Sequence, residues 1–222
     1  MLLVLAAGFA YFRLIRTGTG IPGYSPVPVA KQIYFVIGLF LYWVAKGTPI
    51  AFYGHAYLFS AHMFQMSLLY LAMPPFLYLG LPEWMVRPVL THRYVQPIVR
   101  VLTHPLLAVV GFNLVFSIYH LPQVFNYLSD VPILHFAFHW FLLLLAMAMW
   151  FPIFCPIREW DRMSDLQRMA YMFANGVLIT PACAMIIFAP HMMFEIYFDA
   201  PMLISWLHAR NDQQMGGVLM KL

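Results

Sequence analysis

The sequence predicts an all-α protein: a polytopic membrane bundle of about seven transmembrane helices, N-terminus out and C-terminus in. Three observations carry this expectation: the composition, seven apolar runs, and the uneven placement of Lys and Arg. Of 222 residues, 63% are hydrophobic and 9% are charged, against about 45–50% and about 25% in an ordinary soluble domain. Twelve Lys+Arg and eight Asp+Glu are too few to keep so apolar a globule in water. The chain therefore needs the lipid bilayer as its solvent. Disorder, a disulfide scaffold, a coiled coil and a soluble two-domain enzyme are excluded by the same figures.

The apolar runs cover residues 1–16, 29–48, 55–79, 102–119, 134–154 and 166–189, with a seventh starting near Met202. A span needs about 20 residues. The third, fifth and sixth runs meet that, and the second does so if Lys31 and Lys46 snorkel to the interfaces. The first run is short, and its Arg13 and Arg16 follow the apolar stretch, the reverse of a signal peptide. The seventh is interrupted at 210–214 and resumes at Val218, so it reads as cut off. Pro74-Pro75 and Pro181 are expected to kink or end their helices. The Pro-rich segment 21–28 reads as a loop. With no repeat and no separate soluble segment, residues 1–222 form a single transmembrane domain.

Orientation follows from the basic residues. The loop after the first run carries Arg13, Arg16 and Lys31. The loop after the third carries Arg87, Arg93 and Arg100, and that after the fifth carries Arg158, Arg162 and Arg168. Lys221 is expected at the inner end of the seventh helix. The alternate loops hold Asp130, Glu195 and Asp199. The net charge of +4 is dispersed and points to no nucleic-acid partner. Cys155 and Cys183 form no CxxC and offer neither a disulfide framework nor a Cys-based zinc site.

On this topology seven of the nine histidines fall in the outer half: His55, His62, His120, His135, His139, His191 and His208. His135 and His139 are i,i+4 and share one helix face, and His55 and His62, seven apart, share another. Imidazole is a common metal ligand. Met63 and Met66 stand near His62, and Met192 and Met193 follow His191. Imidazole with thioether favours copper, Cu(I) in particular. A lone interfacial His is an ordinary polar anchor and a lone Met is ordinary packing; a HxxxH pair inside a span is costly and usually functional. The metal candidates are His62, His120, His135, His139, His191, Met63 and Met66. Asp212 and Gln213 are either helix caps or, with Gln65, groups that orient the imidazoles.

His62-Met63-Phe64-Gln65, Pro74-Pro75, Leu79-Gly80-Leu81-Pro82, His104-Pro105, Tyr119-His120-Leu121-Pro122, His135 with His139, and 212–217 (DQQMGG) occur in this order. Together they resemble the CtaG family of bacterial cytochrome c oxidase assembly factors, over nearly the whole chain. The resemblance implies a seven-helix protein of the bacterial plasma membrane. It implies no enzyme activity, and a part in making a haem–copper oxidase that is associated with copper delivery. Oxidase subunits and another copper chaperone are the implied partners. His62, His120, His135 and His139 match the family's motif histidines. Met66 stands where many members have His, and Phe138 where many have an acid; both departures soften the site. The last helix stops where the family's usually continues. Two further functions compete with copper binding: a bis-histidine haem protein and a metal transporter. The transporter lacks an inverted repeat and an acidic pathway.

Overall fold

The computed structural model describes residues 2–161 and 163–221. The expectations placed on Met1, Arg162 and Leu222 lie outside the described residues. The chain is all-helical, with no strand among the described residues. In order the helices are α1 (Leu2–Thr17), α2 (Val29–Gly47), α3 (Pro49–Ala56), α4 (Phe59–Ser67), α5 (Met73–Gly80), α6 (Glu83–Leu90) and α7 (Val95–Leu102). They continue as α8 (Pro105–Tyr119), α9 (Pro122–Asp130), α10 (Pro132–Trp150), α11 (Asp165–Leu178), α12 (Thr180–Ile187) and α13 (Ala209–Lys221).

Polarity is inverted relative to a soluble protein. Ser60, His62, Gln65, Asn113, His120, His139, Asp212 and Gln213 are buried, while Leu106, Phe136, Leu144, Phe173 and Phe188 face outward. Such a surface is stable only against lipid. Five stretches among the described residues are long and apolar enough to cross a membrane: Leu2–Gly20, Val29–Gly47, Phe59–Gly80, Pro132–Trp150 and Asp165–Ile187. A sixth is available if α7 and α8, bent by 71°, act as one span. The first run is therefore longer than expected.

The described part of the seventh run, which the sequence reads as cut off, is shorter than a span. Its helix, α13, begins at Ala209 rather than Met202 and has 13 residues, ~20 Å at 1.5 Å per residue, against a hydrocarbon core of ~30 Å. Lys221 is tied to α11 and α12. Its Nζ donates to the carbonyl of Gly176 at 2.7 Å and to Thr180 Oγ1 at 2.5 Å, midway along Asp165–Ile187. α13 packs against α4 and α12.

Pro74-Pro75 does not end its helix. A π-helical turn at Leu68–Ala72 precedes it and α5 continues to Gly80. Pro74 lacks the N–H that would bond the Tyr70 carbonyl, and the indole of Trp150 donates there instead, at 2.8 Å. Around Pro181 the helix is interrupted, α11 ending at Leu178 and α12 beginning at Thr180. Segment 21–28 is a loop, as expected. Gly80 admits α2 closely: a Cβ there would lie 2.5 Å from the Phe35 nitrogen. The Tyr11 hydroxyl donates to the Gly80 carbonyl at 2.8 Å and ties α1 to the same place.

The basic loops meet at one end of the bundle. Arg87 binds Glu159 at 3.0 Å and also Glu83, joining α6 to the segment after α10. Arg168 pairs with Asp161 at 2.6 Å. Lys31, Arg87, Arg158 and Arg168 line one cavity of about 970 Å³. Arg87 holds the Glu159 carboxyl below the ordinary glutamate range.

Candidate metal centre

At the opposite end, three helices bring four histidines together. α4 supplies His62, the C-cap of α8 supplies His120, and α10 supplies His135 and His139. The i,i+4 spacing on α10 puts the two Nε2 atoms 3.1 Å apart. Two nitrogens that bind one ion at ~2.0–2.1 Å stand ~3.3 Å apart in tetrahedral geometry, a separation close to that of this hydrogen-bonded pair. The Tyr119 hydroxyl lies 3.2 Å from His139 Nε2, 3.3 Å from His135 Nε2 and 3.5 Å from His62 Nε2. Three imidazoles thus converge on one oxygen that has a single proton to give. Among the described residues no three His, Cys, Asp or Glu side chains form a ready-made metal cage; in this arrangement the tyrosine hydroxyl links the three nitrogens.

The outer ring nitrogens are fixed by partners that choose the tautomer. His120 Nδ1 meets the Phe116 carbonyl at 2.7 Å, and a carbonyl only accepts, so Nδ1 carries the proton. That leaves His120 Nε2 as a bare lone pair, fully buried and without a hydrogen-bond partner. Tyr70 Oη lies 2.9 Å from His139 Nδ1 and 3.2 Å from the His139 carbonyl. Both contacts are satisfied when Tyr70 donates to the carbonyl and accepts from Nδ1–H, which bares His139 Nε2. Partners of this kind orient metal-binding imidazoles. No carboxylate bonds these rings among the described residues, and the ring centroids of His62 and His120 are 6.5 Å apart.

The remaining site candidates fall elsewhere. His191 is exposed and its carbonyl accepts from Gln213 Nε2 at 3.4 Å; its ring does not join the cluster. Met63 and Met66 are buried in the core, Met63 against Gly216 of α13. Asp212 is a cap. Its carboxylate accepts from the Phe59 N–H at 2.6 Å, from the Ser60 N–H at 3.3 Å and from the Ser60 hydroxyl, at the start of the helix that carries His62. Gln213 accepts from the Met193 N–H at 2.8 Å, and Gln65 donates to the Ala45 carbonyl at 2.9 Å. None of these three hydrogen-bonds an imidazole.

His55 and His62 do not share a helix face. α3 ends at Ala56 and the backbone is extended at Leu58. Gly54 lets α3 fold against α4, since a Cβ there would stand 2.8 Å from the His62 nitrogen. His55 reaches the cluster all the same, its ring 5.7 Å from that of His135. Residue spacing did not single out Tyr119, Tyr70 or Asn113. Tyr119 sits inside the Tyr119-His120-Leu121-Pro122 motif, one position before its histidine. Asn113 donates to Asn175 Oδ1 at 2.7 Å, joining α8 to α11.

Fold and site define a multi-helix membrane protein with a buried polyhistidine cluster at one end. The family model for the cytochrome c oxidase caa3 assembly factor (Caa3_CtaG) matches residues 8–222. The chain belongs to this family. No curated protein and no solved structure matches it.

Proposed function

We propose that this protein binds copper as cargo and helps deliver it during assembly of cytochrome c oxidase. The convergence of three histidine Nε2 atoms on Tyr119 carries this reading. His62, His135 and His139 would hold the ion, with the bare His120 nitrogen beside them. A site of neutral imidazoles with no carboxylate favours a soft, singly charged ion over a hard divalent one. Buried Met63 and Met66 add soft atoms to the surroundings. Such a donor set gives up its ion by ligand exchange more readily than a closed four-ligand structural site.

In this reading residues 1–222 form one unit of the bacterial plasma membrane, N-terminus out, with the basic loops inside and the histidines near the outer face. α13 supplies the beginning of a seventh crossing. The role is non-catalytic, and the partners are oxidase subunits and a second copper chaperone. Loss of the gene should remove haem–copper oxidase activity, and added copper should restore part of it. Normal oxidase activity at limiting copper in the deletion strain would overturn the proposal. A Soret band in the purified protein would favour bis-histidine haem binding instead.

A further inference from the structure

We propose, building on the copper reading, that the ion reaches the cluster sideways, through a cleft between α2, α3 and α10 in which His55 is the first ligand and Lys46 rejects divalent ions. The cleft has a volume of about 440 Å³, and its lining includes Lys46, His55, Tyr70, His135, His139 and Trp140. Directly above His62 the bundle is closed by aromatic rings. Phe59 stacks on Phe194 at 4.5 Å, Phe125 lies 4.5 Å from Phe194, and His62 lies 5.4 Å from Phe125. The lateral cleft does not pass through that stack.

Exposure falls along the histidines from mouth to interior. His55 is exposed, His135 is half-buried, and His139, His62 and His120 are buried. Successive ring centroids are 5.7 Å apart from His55 to His135 and 4.4 Å from His135 to His139, then 6.0 Å from His139 to His62. Each step is short enough for one imidazole to take the ion before the previous one lets go. The ring of His55 has no hydrogen-bond partner among the described residues, so nothing must be broken for it to bind.

Lys46 lines the same cleft and forms no ion pair among the described residues. A fixed ammonium repels a divalent ion twice as strongly as a monovalent one, and apolar walls magnify the difference. Tyr42, Leu69, Phe136 and Leu143 form such walls here. The cleft therefore admits Cu(I) in preference to Zn(II) or Cu(II).

The test uses the full chain in detergent, loaded anaerobically from a coloured Cu(I)–chelator complex, so that rate and final stoichiometry are read together. His55→Ala should slow loading at least tenfold and leave the final copper content unchanged, which also shows that the fold is intact. His55→Met, which restores a soft ligand, should recover most of the rate, and His208→Ala, exposed and outside the cleft, should load as wild type. Lys46→Met should raise Zn(II) uptake relative to Cu(I) uptake. Wild-type loading rates in His55→Ala would overturn the route while leaving the copper site standing. Unchanged metal preference in Lys46→Met would overturn the charge filter. A wild-type protein that takes up no copper would overturn both the route and the reading on which it rests.

Discussion

The Asp212 carboxylate accepts the backbone N–H of Phe59 at 2.6 Å, across 153 positions of sequence. It supplies the first turn of α4 with the acceptor that Leu58, at the N-cap, cannot provide. An anion at this end also complements the helix dipole. Asp212→Ala should lower stability by ~1–3 kcal/mol, because it leaves buried donors unsatisfied. Thermal unfolding in detergent, followed by circular dichroism, would show it. An unchanged midpoint would mean that α4 needs no partner from α13.

Trp150→Phe removes the donor that meets the Tyr70 carbonyl. The cost should be ~1–3 kcal/mol in the wild-type background. It should shrink in Pro74→Ala, which restores a backbone N–H. A double-mutant cycle measures this coupling; strict additivity would show that the proline and the indole act independently.

Tyr119→Phe keeps the ring that stacks on Phe138 at 5.4 Å and removes the hydroxyl that links His62, His135 and His139. Copper affinity should fall by about 10–100-fold, the usual loss when an orienting partner of a ligand is removed. Competition with a Cu(I) chelator reads it. Equal affinity would show that the imidazoles need no tether.

Glu159 is ionised more readily in the folded chain than in the unfolded one, because Arg87 sits against it. Its contribution is complete above the ordinary glutamate value of ~4.3 and fades as pH falls through the lower folded value. Protection of the loop around Arg158–Trp160 from proteolysis should therefore hold from neutral pH to about 5 and weaken below about 4. Glu159→Gln should remove this pH dependence. The pair is exposed, so the effect on global stability is small.

The fold was legible where lipid selects composition: the apolar runs, the loop at 21–28 and the basic loops all follow from the cost of charge in hydrocarbon. The HxxxH pair was legible because helical spacing alone puts His135 beside His139. Tyr119 was not, because its role depends on two other helices, α4 and α10, meeting at its hydroxyl. His55 was placed on the face of His62, since spacing does not show the break at Tyr57 and Leu58. Asp212 had two readings, cap or orienting group, and only the packing of α13 on α4 chose the first. The last helix read as cut off because residues 218–220 resume apolar character just before the end; that Lys221 is held at Gly176 and Thr180 depends on packing that spacing does not show.

The most direct test of the central claim is the copper content per chain of protein purified in detergent. The account predicts copper retained by the wild type and by His191→Ala, whose ring stands apart from the cluster. It predicts that His135→Ala with His139→Ala loses the copper while remaining folded. Equal copper in the wild type and the double variant would contradict it.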